Sequence, residues 1–229
     1  MPNVDDKGNT ITTIGIDLNQ PFGSSNSKFK VIETLENNDY RYINTSAFSN
    51  NKILEKINLS LSLEIICNNA FEYCEKLSSI GNAYYNITEI GNAAFRNCLI
   101  SCNVSKMEQL KYIATSAFFG CRNLTSDKTL PSNITNLSTY IFHNCEKISL
   151  SNFTSLEAVG DNCFSNAGKN VSNIVLNGNI TGKAFSGFGS NTIEQVTIEN
   201  WSGTYDEGVQ YLQNIGFNIG NIVTIEILK

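Results

Sequence analysis

Histidine is almost missing from this chain of 229 residues, which carries one histidine, His143. A histidine-based zinc site or a Ser-His-Asp triad would have to form around that residue, so the sequence predicts neither a metal site nor a catalytic site. The glycine-rich stretches lack the spacing of a phosphate-binding loop, and we expect no cofactor.

Charge and long apolar runs are also scarce. Charged residues make up 16% of the chain and the net charge is −5, whereas nucleic acids and anionic lipid surfaces attract clustered lysine and arginine. We therefore expect no nucleic-acid partner. No apolar run approaches the roughly 18 residues needed to cross a bilayer, so we expect no membrane insertion.

The first residues do not have the pattern of a secretory signal. Asp5 and Asp6 stand where such a signal has basic residues, and no apolar segment follows them. Two explanations stay open at this point. Either the chain is not exported by that route, or the sequence begins after a signal that was removed.

What the sequence does contain is a regular repeat. Phenylalanine recurs at intervals of 21 to 24 residues, each time after Ala, Ile or Cys. The residue five places earlier is aliphatic in all seven copies, and the residue eight places earlier is apolar in six of them. Self-similarity at this period is typical of a solenoid, whose coils stack and share one core. The seven phenylalanines are Phe48, Phe71, Phe95, Phe118, Phe142, Phe164 and Phe185.

A second apolar pattern follows each phenylalanine. Pairs such as Ile57 and Leu59, or Val196 and Ile198, alternate with polar residues, which indicates short half-buried strands. The sequence thus predicts a β-rich solenoid of about seven coils of 21 to 24 residues, with parallel strands and capped ends.

The repeat also suggests domain boundaries. We expect an N-terminal extension or cap at residues 1–30, the solenoid at 31–200 and a C-terminal cap at 201–229. The spacing of Val209, Leu212 and Ile215 predicts a short helix in the C-terminal cap, and residues 222–228 alternate as a strand. Trp201 is expected to cover the last coil.

The seven cysteines are explained mostly by the repeat. Four of them lie three places after a phenylalanine, where a small soft side chain fits a tight corner. Buried free thiols are the favoured interpretation, while disulfides between neighbouring coils and a metal site are the alternatives. The four are Cys74, Cys98, Cys121 and Cys145.

Three segments together resemble a known repeat family. They are residues 87–98 (ITEIGNAAFRNC), 156–164 (LEAVGDNCF) and 71–80 (FEYCEKLSSI). Their frame is similar to the BspA-type, or treponemal, leucine-rich repeat, and the resemblance covers roughly residues 35 to 200. It implies a right-handed leucine-rich repeat solenoid with parallel strands on its concave side. It also implies an extracellular or cell-surface location and a role in binding host matrix or cell-surface proteins.

The expected contact surface is the outward side of the strand doublets. Solenoids use such extended faces to bind partners, so we expect a non-enzymatic, adhesin-like binding module that recognises a protein. A structural or receptor-contacting component of a larger assembly, such as a virion or appendage, is the alternative. The predicted contact residues are Lys56, Asn58, Ser79, Ser101, Asn103, Lys147, Ser149, Asn173, Val175, Gln195 and Thr197.

Overall fold

Short strands recur once or twice in each turn of the chain. The structure, a computed structural model, describes residues 13–14, 30–33 and 41–229. One α-helix, α1 (Tyr205–Asn214), and short 3-10 helices at Ala83–Asn86, Val104–Lys106 and Ile219–Asn221 interrupt the strands. The strands are β1 (Thr13–Ile14), β2 (Val31–Glu33), β3 (Tyr42–Ile43), β4 (Lys56–Asn58), β5 (Ile65–Ile66), β6 (Glu89–Ile90), β7 (Tyr112–Ile113), β8 (Asn136–Leu137), β9 (Ala158–Val159), β10 (Asn173–Asn177), β11 (Ile193–Glu199) and β12 (Ile222–Ile227).

All strand pairs within the described residues are parallel and join neighbouring coils. One five-stranded sheet has the order β1-β3-β5-β6-β7, and β8 pairs with β9 in the same way. On a second side, β2 pairs with β4, and β10, β11 and β12 form a three-stranded sheet. Parallel pairing of successive coils confirms the predicted parallel-strand β-solenoid of about seven turns.

The phenylalanines form a continuous stack through the core. Neighbouring rings lie 5.1 to 5.8 Å apart between centroids and are tilted by 17° at most. Each of the seven is at most 1% exposed. Phe217, which lies outside the repeat spacing, adds one more ring by stacking on Phe185 at 5.1 Å. The column is therefore core, as predicted.

The recurring cysteines donate hydrogen bonds within this core. The thiol of Cys74 donates to the carbonyl of Phe48 at 2.9 Å, and the thiol of Cys121 donates to that of Phe95, also at 2.9 Å. Cys98 and Cys145 repeat the bond with Phe71 and Phe118. Each thiol thus adds a second hydrogen bond to a buried carbonyl of the preceding coil, which also accepts a backbone N–H within its own turn. All seven cysteines are free, and the four of the repeat are buried, as expected, while Cys67 and Cys102 are half-buried.

The turns around each phenylalanine account for part of the asparagine content. Asn162 and Asn166, two places before and after Phe164, have φ values of 57° and 56°. Asn69 has φ 57° at the corresponding place of another coil. Of the twelve non-glycine residues with positive φ in the described chain, seven are asparagine. Asparagine tolerates this left-handed conformation better than most residues, so the repeat selects it.

The C-terminal cap forms as predicted. Thr204 caps the N-terminus of α1: its side chain accepts a hydrogen bond from the backbone of Glu207, while the Glu207 carboxylate accepts one from the backbone of Thr204. This reciprocal capping satisfies helix N–H groups that would otherwise lack partners. Leu212 and Ile215 are buried with Phe217 over the last coil. The cap thereby covers the end of the core.

Trp201 is half-buried beside Tyr211, 5.1 Å away between ring centroids, and it packs over Gly178, where an added Cβ would lie 2.6 Å from its ring. Trp201 thus covers the side of the last coils, and Phe217 covers the phenylalanine stack.

The boundaries at 30 and 200 stay predictions, and most of the N-terminal extension lies outside the described residues.

Candidate functional site

The eleven predicted contact residues lie along the second side of the solenoid. We call them the polar strand row. Pairing brings some of them together, since Lys56 bridges to Ser79 and Asn173 pairs with Gln195. Five are exposed, namely Lys56, Ser101, Lys147, Ser149 and Asn173. Five more are half-buried, namely Asn58, Ser79, Asn103, Val175 and Gln195.

Several side chains of the polar strand row already have partners within the solenoid. The Asn103 amide donates to Asp127 at 3.1 Å, and the Lys147 ammonium donates to Asn123 at 2.7 Å. These bonds tie one coil to the next. A partner protein that used these side chains would have to replace the bonds, which reduces the net gain from contact.

Thr197 differs from the other members of the polar strand row. Thr197 is 7% exposed, and the Glu226 carboxylate on β12 accepts hydrogen bonds from both Thr197 and Gln195. Strand β12 lies beside β11 and covers this position. Thr197 therefore offers little surface to a partner, and the sequence pattern could not show that a cap strand covers it.

A second row, which combines half-buried and exposed residues and which the repeat pattern does not single out, lies on the five-stranded sheet. Strands β3, β5, β6 and β7 each bury their second residue and turn the first one outward. In register, the outward residues are Tyr42, Ile65, Glu89 and Tyr112. Tyr112 is 54% exposed. We call these four residues the sheet row.

A shallow groove runs beside the sheet row. It has a volume of ≈ 270 Å³, and the small residues Cys67, Gly91 and Ala114 lie along it. Each of these residues comes one place after a buried strand residue, where the chain turns close to the preceding coil. A Cβ on Gly91 would lie 2.6 Å from the backbone nitrogen of Asn68, so the neighbouring coil excludes a side chain there. We call this depression the sheet groove.

The electrostatics of the sheet groove depend on Glu89. The ion pairs within the described residues do not include this exposed carboxylate, which stands between Ile65 and Tyr112 in the register. Burial, and then the charge of Glu89, raise the pKa of the Cys67 thiol, so Cys67 stays protonated near neutral pH. The groove can therefore bind a side chain with an apolar stem and a cationic end, such as that of lysine or arginine.

The single histidine, His143, packs against an aromatic ring. The imidazole is half-buried and stacks on Phe119 with 4.6 Å between ring centroids, and burial lowers its pKa. Within the described part of the chain, no group of three or more His, Cys, Asp or Glu residues is placed to hold a metal ion. That part also lacks any helix with the length and apolarity to cross a membrane.

Two solved structures are similar to this chain. The chain aligns with a leucine-rich repeat protein from Bacteroides ovatus at 19% identity and a TM-score of 0.58, covering 100% of this chain and 68% of that one. It also aligns with a leucine rich cell surface protein from Faecalibacterium prausnitzii at 13% identity and a TM-score of 0.29, covering 94% and 82%.

A comparison with curated proteins gave no match. At the level of families, the sequence matches the BspA type leucine rich repeat region in six copies, over residues 10–124 and 88–209. These ranges include most of the chain and every phenylalanine of the repeat. The chain therefore belongs to the BspA-type leucine-rich repeat family.

Proposed function

We propose that this chain is a non-enzymatic, adhesin-like module that recognises a partner protein, such as a host matrix or cell-surface protein. The observation that carries the proposal is the sheet row beside its groove, where exposed Tyr112 stands next to Glu89. Tyrosine is among the residues that dominate binding energy at protein interfaces. The family resemblance supports a location at the cell surface.

The sheet row is held in place before any partner arrives. Ile66, Ile90 and Ile113, which follow its members in the strands, are at most 1% exposed. Each strand is also paired with its neighbours on both sides, apart from the last one. A preformed row has less conformational entropy to lose on binding, so more of the contact energy contributes to affinity.

The chemistry of the sheet groove favours a particular kind of partner segment. Ile65 and Tyr112 provide apolar surface on either side of the Glu89 carboxylate. A lysine or arginine side chain of the partner can lay its stem against this surface and place its cation at Glu89. We therefore expect partners that present a basic side chain on an exposed, extended segment.

The polar strand row has a supporting role in this proposal. Its exposed members, such as Ser101, Ser149 and Lys147, are small or flexible, and they lie on the second side of the solenoid and not on the five-stranded sheet. Rows of this kind supply adaptable hydrogen bonds but few aromatic anchors. We expect single substitutions there to weaken partner binding less than a substitution at Tyr112.

A binding screen with matched variants tests the proposal. The purified chain is screened against immobilised matrix proteins and cell-surface proteins, and each hit is measured again with Tyr112→Ala and Tyr205→Ala. Tyr205 is a suitable control because it is 56% exposed, close to the 54% of Tyr112, but lies on α1. We expect about a tenfold or larger loss of affinity for Tyr112→Ala alone.

Two results would contradict the proposal. Absence of binding across the panel would argue against recognition of such proteins, and equal losses for the two tyrosine variants would argue against the sheet row. Glu89→Lys adds a test of partner chemistry, since reversing the charge should abolish binding to a basic segment. Turnover of a glycan or peptide substrate that is lost in His143→Ala would contradict the non-enzymatic role.

A further inference from the structure

The last strand of the structure has an open edge. Strand β12 pairs in parallel with β11 on one side, and no strand of the described residues pairs with its other side. The backbone N–H of Leu228 donates to the carbonyl of Ile198, and the carbonyl of Leu228 accepts from the backbone N–H of Trp201. The backbone N–H and C=O groups of successive residues in a strand point in opposite directions. Since those of Leu228 point toward β11, those of Val223, Ile225 and Ile227 point toward the open edge.

The usual protections of an edge strand are weak here. Residues 222–227 contain no proline and no lysine, and their one charged side chain, Glu226, already accepts hydrogen bonds from Gln195 and Thr197. Val223 is 70% exposed and Leu228 is 42% exposed. An exposed strand rich in β-branched residues is a template for pairing with another strand.

The side chains of this strand are chemically symmetric about Ile225. Reading outward from that residue in both directions gives a polar residue, then an apolar one, then another apolar one. The order is Ile222, Val223, Thr224, Ile225, Glu226, Ile227 and Leu228. Such a sequence is self-complementary when two copies pair antiparallel about Ile225, because each residue then faces the residue at the same distance on the other side of Ile225 in the second copy.

We propose that two copies of this chain pair through the open edges of β12, antiparallel and about a twofold axis at Ile225. The residues that direct their backbone toward the edge then face each other, with Val223 opposite Ile227 and Ile225 opposite its own copy. Thr224 faces Glu226, so no two carboxylates stand directly opposite. The outer pair, Ile222 with Leu228, is apolar.

This surface is distinct from the sheet row, and the inference does not depend on partner recognition. The two copies extend the three-stranded sheet of β10, β11 and β12 to six strands without altering either solenoid. A contact through one strand edge is small, so we expect weak association, with a Kd between about 10 µM and 1 mM. Self-association of this kind is also what a component of a larger assembly would need.

Sedimentation equilibrium of the full chain tests the proposal with two variants and a control. Val223→Lys adds a charge at a position that is 70% exposed, so the monomer should fold normally. Ile225→Pro removes the N–H at the centre of the expected pairing, which is tolerated on an edge strand. Leu61→Lys is the control, because Leu61 is 61% exposed and lies between β4 and β5.

The expected result is a monomer–dimer equilibrium that each β12 variant weakens about tenfold or more while Leu61→Lys leaves it unchanged. The thermal midpoint of Val223→Lys should match that of the parent chain, which shows that the monomer is intact. A monomer at protein concentrations up to about 1 mM would overturn the proposal. Dimers that tolerate Val223→Lys would equally overturn it, because they would use another surface.

Discussion

Replacing Phe118 by alanine tests whether the phenylalanine column holds the solenoid together. The Phe118 side chain is 0% exposed. Its ring lies between those of Phe95 and Phe142, at 5.6 and 5.8 Å, with tilts of 4° and 6°. The truncation would remove one ring from the middle of the stack and leave a cavity that both neighbours face.

The expected cost follows from how little the cavity can collapse. Truncating a buried phenylalanine to alanine costs about 3 to 5 kcal/mol, depending on how far the surroundings relax. Here the backbone of Phe118 is fixed on both sides, since its N–H donates to Ile141 at 3.1 Å and its carbonyl accepts from the Cys145 thiol at 3.0 Å. We therefore expect a loss near the upper end, about 4 to 5 kcal/mol.

Equilibrium unfolding in urea measures this loss, and Phe119→Ala is the matched control. Phe119 is the next residue, but its half-buried ring lies outside the stack, against Arg96 at 4.9 Å and His143 at 4.6 Å. Losing those contacts should cost about 1 to 2 kcal/mol. A cost for Phe118→Ala below about 2 kcal/mol, or no larger than that of Phe119→Ala, would show that the phenylalanine column does not hold the solenoid together.

Three further predictions concern the thiols, one turn and the cap helix. Burial raises the pKa of Cys121 and Cys163 above the ordinary 9.0, and that of Cys163 to about 12. As the pH rises, these thiols therefore lose their protons in the unfolded chain before they do so in the folded one. The free energy of unfolding should thus fall above pH 9, by up to about 1.4 kcal/mol per thiol and pH unit, and a flat profile from pH 8 to 11 would contradict this. Ala93 has φ 50°, so Ala93→Gly should raise the unfolding free energy by about 0.5 to 1 kcal/mol, while the control Ala94→Gly should lower it. Thr204→Ala removes the helix cap and should cost about 1 kcal/mol in thermal or urea unfolding, and a neutral result would show that α1 does not need this cap.

The solenoid could be predicted from the sequence because every coil repeats one environment. A ring at the place of Phe95 meets the same kind of neighbour as a ring at Phe118, so the same residue type recurs. The thiols of Cys98 and Cys121 recur for the same reason, since each bonds the carbonyl of a buried phenylalanine. Core positions therefore leave a periodic trace in the sequence.

Positions that end the repeat or face solvent leave no such trace. Phe217 stacks on Phe185 but follows it by 32 residues, because α1 lies between them, so the period could not reveal it. The sheet row is equally hidden, since Tyr42 and Glu89 share a place in the coil but no residue type. Counting one place before the buried aliphatic residue would have located the row, though not its groove.

The polar strand row shows a different limit of sequence reasoning. Alternation located its residues on one side of the strands, but it could not show what their side chains contact. Lys147 is tied to Asn123 across neighbouring coils, and Gln195 is tied to Glu226 on the cap strand. Hydrogen bonds between coils depend on the stacking register, which becomes visible only once the coils are superimposed in space.

Photo-crosslinking from the sheet row tests most directly whether these residues contact a partner protein. A photoreactive phenylalanine analogue is placed at Tyr112, and in a separate chain at Tyr205, and each protein is irradiated with a partner found in the binding screen. We expect a covalent complex from position 112 and little from position 205, because Tyr112 belongs to the proposed contact surface and Tyr205 lies on α1. Equal yields from the two positions, or crosslinking only from position 205, would contradict this expectation.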